Sequence, residues 1–216
     1  MTKSHCSVVV LISGNGTNLQ ALIDDSTHSN YKITAVISNK PEAFGLSRAQ
    51  RSGIPALTIN HKDYSSRELF DHALMETIDT FNPDIIVLAG FMRILSAEFV
   101  KHYCGKILNI HPSLLPAYTG TNTHQRVLDA GEKYHGVSVH FVTEELDGGP
   151  VISQEKIKIE ADDNADSLAN KIHQKEHIIY PKTVSWFAAG RLHMNANRAY
   201  LDNDLLPETG IEISPL

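Results

Sequence analysis

The chain has 216 residues, 42% of them hydrophobic and 20% charged, with a formal net charge of −6. That length supplies one sizeable domain with a full core, and the 19 basic residues are scattered, which argues against nucleic acid as a partner. No apolar stretch approaches the roughly 20 residues that cross a bilayer, so no membrane partner is expected.

Residues 7–12 read as a strand buried on both faces, and Ser13-Gly14-Asn15-Gly16 turns it into a helix over 17–25. The apolar run Val8-Val9-Val10-Leu11-Ile12 is too short and too β-branched for a signal peptide. Cys6 and Cys104 stand far apart without a CxxC, so a reduced, cytoplasmic protein is expected. A strand at 33–38, a helix at 44–52 and a short strand at 56–59 follow. Ser65-Ser66-Arg67-Glu68 opens a helix to about 81 with an N-cap serine. Strands at 84–89 and 107–110 flank a short helix at 97–103. Strands alternating with helices predict βαβ units, a parallel sheet and right-handed crossovers.

The second half is different. Residues 136–142 alternate as a half-exposed or antiparallel strand would, and so do 151–159 across the Gly148-Gly149-Pro150 turn. A helix over 166–187 closes the pattern, with a kink or break expected at Pro181. The fold class is α/β: a Rossmann-like, mostly parallel twisted sheet with antiparallel edge strands, in a single domain spanning 1–216.

Three groups of residues carry chemistry. Asn109 and His111 sit two apart at the end of an apolar run, so both emerge on one side of a strand. Pro112 and Pro116 then force the chain out of the sheet. This is a strand's carboxyl end, where open α/β sheets bind ligands. An amide that donates to an oxyanion and an imidazole that titrates near neutrality suit acyl-type transfer without a covalent intermediate. Asp147 before Gly148-Gly149 is either a turn residue capping its own backbone or a charge partner for His111. His140 reads as the outward residue of its strand or, less simply, as a further partner of this group.

Ser13-Gly14-Asn15-Gly16-Thr17-Asn18 opens a helix, where glycines allow close approach and free amides attract an anion such as phosphate; a tight βα loop is the plain alternative. Leu19 stands where the dinucleotide fingerprint needs a third glycine, and no Walker lysine is present. Gly90-Phe91-Met92-Arg93-Ile94-Leu95 either completes the core or reads the edge of a flat ring through its backbone. His111, His135 and His140 lack HxxxH or HExxH spacing, and no metal is expected.

These segments, with Leu108 to Pro116, Ser138-Val139-His140-Phe141-Val142, Leu146-Asp147-Gly148-Gly149-Pro150 and Glu176-His177-Ile178-Ile179-Tyr180-Pro181, stand in one order along the chain. Over about residues 7–206 the chain resembles the folate-dependent formyltransferase family, and within it the enzymes acting on glycinamide ribonucleotide in purine synthesis. The resemblance implies that Asn109, His111 and Asp147 are catalytic. It implies that Gly16, Thr17 and Asn18 hold the ribonucleotide phosphate and Glu176 its ribose. It further implies a folate pocket formed by Arg67, Met92, Arg93, Ile94, Leu95, Asn109, Thr143, Glu144, Glu145, Leu146 and Asp147. The N-terminal half would bind phosphate, and the C-terminal half would carry folate binding and catalysis.

The implied reaction moves the formyl group of 10-formyltetrahydrofolate, a co-substrate, to the amine of 5-phosphoribosylglycinamide. The partners are these two small molecules, and the protein would be a monomer or homodimer. The chain departs from the family at Ala117-Tyr118-Thr119-Gly120-Thr121-Asn122, which lacks a usual basic residue and proline. Formyltetrahydrofolate deformylase, which would turn the same three residues on water, and a non-catalytic nucleotide- or folate-binding module are the alternative readings.

Overall fold

The computed structural model describes residues 5–213; the outer ends of the expected 1–216 domain lie outside them. The chain divides into two compact units, with the boundary between Leu108 and Asn109.

The first unit contains β1 (Cys6–Ile12), α1 (Thr17–Ser26), β2 (Tyr31–Ser38), α2 (Phe44–Arg51), β3 (Ala56–Thr58), α3 (Arg67–Asp79), β4 (Ile85–Leu88) and α4 (Ala97–His102). Its strands run β4-β1-β2-β3, and every pairing is parallel. Val8, Val9, Val10, Leu11 and Ile12 are all fully buried. A parallel strand covered on both faces has no wet side, which is why β1 shows no alternation. The serine cap is present: Ser66 Oγ accepts the N–H of Leu69 at 3.2 Å and starts α3.

β5 (Ile107–His111) crosses the boundary, and its Asn109-to-His111 end opens the second unit. There follow α5 (Thr123–Asp129), β6 (Tyr134–Phe141), β7 (Val151–Lys158), α6 (Ala165–Ala188), a meander of β8 (Leu192–Asn195), β9 (Arg198–Leu201) and β10 (Asp204–Leu205), and β11 (Ile211–Glu212). The order is β11-β7-β6-β5, with β6 antiparallel to β7. The sheet is thus parallel throughout the first unit and mixed in the second, as the α/β reading expected.

Two local expectations need correction. β6 is not half-exposed: every residue after Tyr134 in it is buried, so its alternating pattern separates two covered faces. Pro181 does not break α6, which runs for 24 residues through it. The ring removes a single ladder bond, and Ile179, Tyr180, Thr183 and Val184 around it are all fully buried. Tertiary packing outweighs the local cost. α5 and the β8–β10 meander carry too few apolar residues for periodicity to reveal them. Among the described residues no helix is long and apolar enough to cross a membrane.

Candidate active site

The second unit gathers Asn109, His111, His140 and Asp147. Asn109 and His111 leave β5 on one side, as their spacing requires. His140 arrives from β6 with a correction in register. Val139 pairs with Ser153 but His140 pairs with Val151, so Ile152 is an extra residue and β7 bulges at this point. A bulge of this kind bends the ladder and re-aims the neighbouring side chain. Asp147 stands on the following turn at φ 52, left-handed backbone that Asp tolerates better than most residues. The turn is held close to the sheet at Gly149, where a Cβ would collide with the carbonyl oxygen of Phe141.

The hydrogen bonds define protonation. His140 Nδ1 lies 2.8 Å from the carbonyl of Phe141, and its Nε2 lies 3.1 Å from the amide nitrogen of Asn109. A carbonyl only accepts, so Nδ1 carries the proton, and Nε2 accepts from Asn109. Burial pushes the His140 pKa down, which agrees with a neutral ring. His140 therefore fixes the Asn109 amide with its nitrogen towards the imidazole, leaving the second N–H of that nitrogen for another acceptor. The 3.9 Å approach of His140 Nε2 to Asp147 is no ion pair, because the ring is neutral.

His111 is flanked by acceptors on both sides. Its Nε2–H donates to the carbonyl of Tyr118 at 2.9 Å, and Nδ1 faces Asp147 Oδ2 at 3.5 Å. Both side chains of that pair are more than nine-tenths buried. Asp147 Oδ2 also accepts the N–H of Gly120 at 2.8 Å. The segment 117–122 thus touches both His111 and Asp147. Its unusual sequence is braced from α5: Arg126 donates to the carbonyls of Thr119 at 2.6 Å and Thr121 at 3.3 Å, and lies over the Tyr118 ring.

The first unit carries the two loops. Gly16 has φ 74 and caps α1 without any side-chain cap. A Cβ on it would lie 2.8 Å from Cα of Gly45, so this glycine is required twice over. Arg48 braces the outer side of the loop by donating to Asn15 through both the carbonyl (2.9 Å) and the side chain (3.1 Å). Ser13 joins this loop to the second one: its Oγ donates to Asn39 Oδ1 at 2.6 Å and accepts the N–H of Met92 at 2.8 Å. Asp71 fixes the far end, because its Oδ2 accepts the N–H of Ser96 at 2.5 Å. Burial raises the Asp71 pKa above the usual carboxylate range. Met92 is 72% and Ile94 58% exposed, apolar surface that a flat ring would cover.

The residues expected from sequence fall on both units. Gly16, Thr17, Asn18, Arg67, Met92, Arg93, Ile94 and Leu95 lie on the first, and Asn109, His111, Thr143, Glu144, Glu145, Leu146, Asp147 and Glu176 on the second. Arg67 is on the surface beside Glu68, and Arg93 lies over the Phe70 ring. Glu176 is 4% exposed, 4.0 Å from His173. Sequence reasoning undervalued His140, which is buried among the site residues and is not an outward strand residue. It missed Ser13 as the tie between loops, Asn39 and Asp71. For Asn39 a signal existed, a polar residue just past a buried strand's carboxyl end. Among the described residues no group of three or more His, Cys, Asp or Glu side chains is placed to hold a metal ion.

A half-buried amide with a buried imidazole and carboxylate, none of which hydrogen-bonds a serine or cysteine among the described residues, defines a class: an enzyme that moves a group by direct attack of one substrate on another. The formyl transferase family model matches residues 6–184. The chain is 53% identical over 206 residues to the phosphoribosylglycinamide formyltransferase of Escherichia coli, covering 94% of this chain and 97% of that one. The solved phosphoribosylglycinamide formyltransferase of Coxiella burnetii superposes with a TM-score of 0.94 at 51% identity, over 97% of this chain and all of that one. Glycinamide ribonucleotide transformylase 1 of Symbiobacterium toebii gives 0.89 at 39% identity, over 93% and 95% of the two chains. The chain belongs to the formyl transferase family.

Proposed function

We propose that this chain transfers the formyl group of 10-formyltetrahydrofolate to the amine of 5-phosphoribosylglycinamide, giving the N-formyl product and tetrahydrofolate in purine biosynthesis. The observation that carries this reading is the Asn109–His140 and His111–Asp147 arrangement, within a chain whose relatives bear that activity's name. Asn109 presents its second amide N–H, and His111 its Nε2–H, to the formyl oxygen as charge develops there. Each such donor is worth about 3 kcal/mol in the transition state. At His111 the Nε2–H is then shared between that oxygen and the Tyr118 carbonyl, which keeps the ring in place.

Asp147, facing the His111 ring at 3.5 Å, organises a water that carries the proton from the attacking amine to the leaving folate nitrogen. The amine adds to the formyl carbon to give a tetrahedral oxyanion, and the bond to the folate nitrogen breaks as the C=O re-forms, so no acyl-enzyme is needed. Gly16, Thr17 and Asn18 bind the ribonucleotide phosphate through helix-terminal amides, and Glu176 binds its ribose. Arg67, the segment Met92 to Leu95, Asn109 and the segment Thr143 to Asp147 receive the folate. Residues 1–216 act as a single formyltransferase domain, a cytoplasmic monomer or homodimer. Its N-terminal half binds phosphate, and its C-terminal half carries catalysis and folate binding.

The test is purified protein with both substrates, followed by folate absorbance with and without the ribonucleotide. Absorbance change that requires the ribonucleotide is expected. Change without it would make the protein a hydrolase of the same folate.

A further inference from the structure

Ser138 on β6 and Gln154 on β7 are direct cross-strand partners, and both side chains are buried. Ser138 Oγ donates to the carbonyl of Ser113 at 2.6 Å and accepts the N–H of Leu115 at 3.0 Å. Gln154 Nε2 donates to the carbonyl of Leu115 at 2.8 Å and to Ser138 Oγ at 2.9 Å. The hydroxyl thus uses its proton and both lone pairs, and the amide nitrogen uses both of its protons.

The segment they grip begins two residues after His111. The prolines on either side of it, Pro112 and Pro116, have no N–H to donate; the two side chains pair the Ser113 carbonyl and both backbone groups of Leu115, while the Ser113 N–H donates to the His111 carbonyl at 2.8 Å. The grip continues along the chain, since Ser113 Oγ donates to the carbonyl of Ala117 at 2.7 Å. The next residues are Tyr118, whose carbonyl meets His111 Nε2, and Gly120, whose N–H meets Asp147. A core position that needed only bulk would be served as well by an apolar side chain. What Gln154 adds is one donor to the turn behind the site and a second to the Ser138 hydroxyl that also holds it.

We propose that Gln154, acting through Ser138 and Leu115, is a positioning residue for formyl transfer: it sets the turn that orients the His111 ring. The inference rests on the reading of His111 as an oxyanion donor. The test uses the full chain labelled with 15N-histidine, in which the His111 Nε2–H resonance is assigned by its absence in His111→Asn. Gln154→Met keeps the length of the side chain and removes both donors. Ser138→Ala removes the hydroxyl, and Ser138→Thr retains it.

Gln154→Met and Ser138→Ala are expected to shift or broaden the His111 Nε2–H signal. Both should lower kcat about tenfold, the order expected from a sub-ångström misplacement, with each KM changed less than about twofold. Ser138→Thr should restore both readouts, which a loss of stability alone would not predict. An unmoved His111 signal in folded Gln154→Met overturns the proposal, whatever the activity. If Gln154→Met does not fold, the Ser138 pair decides by the same signal. A signal that moves while kcat holds supports the grip and instead overturns the reading of His111 as the oxyanion donor.

Discussion

His111 is buried to 5% exposure, and its two nitrogens face a carbonyl and a carboxylate. Truncating it removes chemistry more than packing. His111→Ala is expected to lower kcat by about two orders of magnitude or more, with an unchanged circular dichroism spectrum; steady-state turnover near that of the parent removes His111 from the mechanism. Gly16 offers a separable forecast. A Cβ there meets Gly45 and forces a left-handed φ on a β-branched residue, at the point where backbone amides would meet phosphate. Gly16→Val should therefore raise KM for the ribonucleotide far more than KM for the folate. Equal rises would make the loop structural only. At this scale spacing alone puts Asn109 and His111 on one side of β5, while Asp147, open in the sequence between a turn residue and a partner of His111, is brought beside that ring by the fold. It did not identify His140, because alternation along β6 cannot reveal that its polar side chain faces an amide and not solvent.

Elements were legible where one periodicity dominated. β1 from Val8 onward and β4 are unbroken apolar runs, and α3 announces itself through Ser66. Ser66→Ala should cost about 1 kcal/mol, lowering the thermal midpoint by roughly 2–4 °C with kcat unchanged. Gly149→Ala should cost distinctly more than this cap, because its Cβ meets the Phe141 carbonyl at the bulged end of β6 and β7. Urea midpoints of the two variants compare them directly, and an equal loss would show that the turn can yield. α6 was misjudged at Pro181 for the opposite reason. Propensity is a local quantity of a few kcal/mol, and a helix side buried from Ile179 to Val184 overrides it.

For the molecule as a whole, the buried histidines set the acid limit of stability. Burial pushes the His135 pKa from 6.5 down to about 4 and lowers those of His124 and His140 as well. In the unfolded chain each would bind a proton near pH 6.5. The unfolded state therefore holds more protons as pH falls through this window, and the native state loses relative stability between about pH 6.5 and pH 4. His135 alone, at 1% exposure, would account for about 3 kcal/mol by the lower end. Urea unfolding at pH 7 and pH 5 should show the loss, and His135→Gln should reduce its slope; an unchanged slope would place the titration elsewhere. A second expectation concerns metal. The proposed mechanism draws its oxyanion donors and proton route from side chains, so activity should survive exhaustive chelation. Activity lost to a chelator and restored by one divalent ion would overturn the mechanism.

The sequence by itself determined the α/β class, the buried strands, the capped helix, the end of β5 where Asn109 and His111 emerge together, and the turn at Asp147. Those features are written in short-range patterns: hydrophobic period, cap residues, and prolines that end a strand. Only the tertiary structure decided which tautomer His140 holds, that Ser13 ties two loops together, that Tyr118 and Gly120 reach back to His111 and Asp147, and that Gln154 grips the turn between them. Each of these is a hydrogen bond between side chain and backbone, or between side chains, set by where folding brings the groups. A donor's identity is local, but its acceptor is chosen by register, by a bulge and by the path of a turn, and these are settled by packing as a whole.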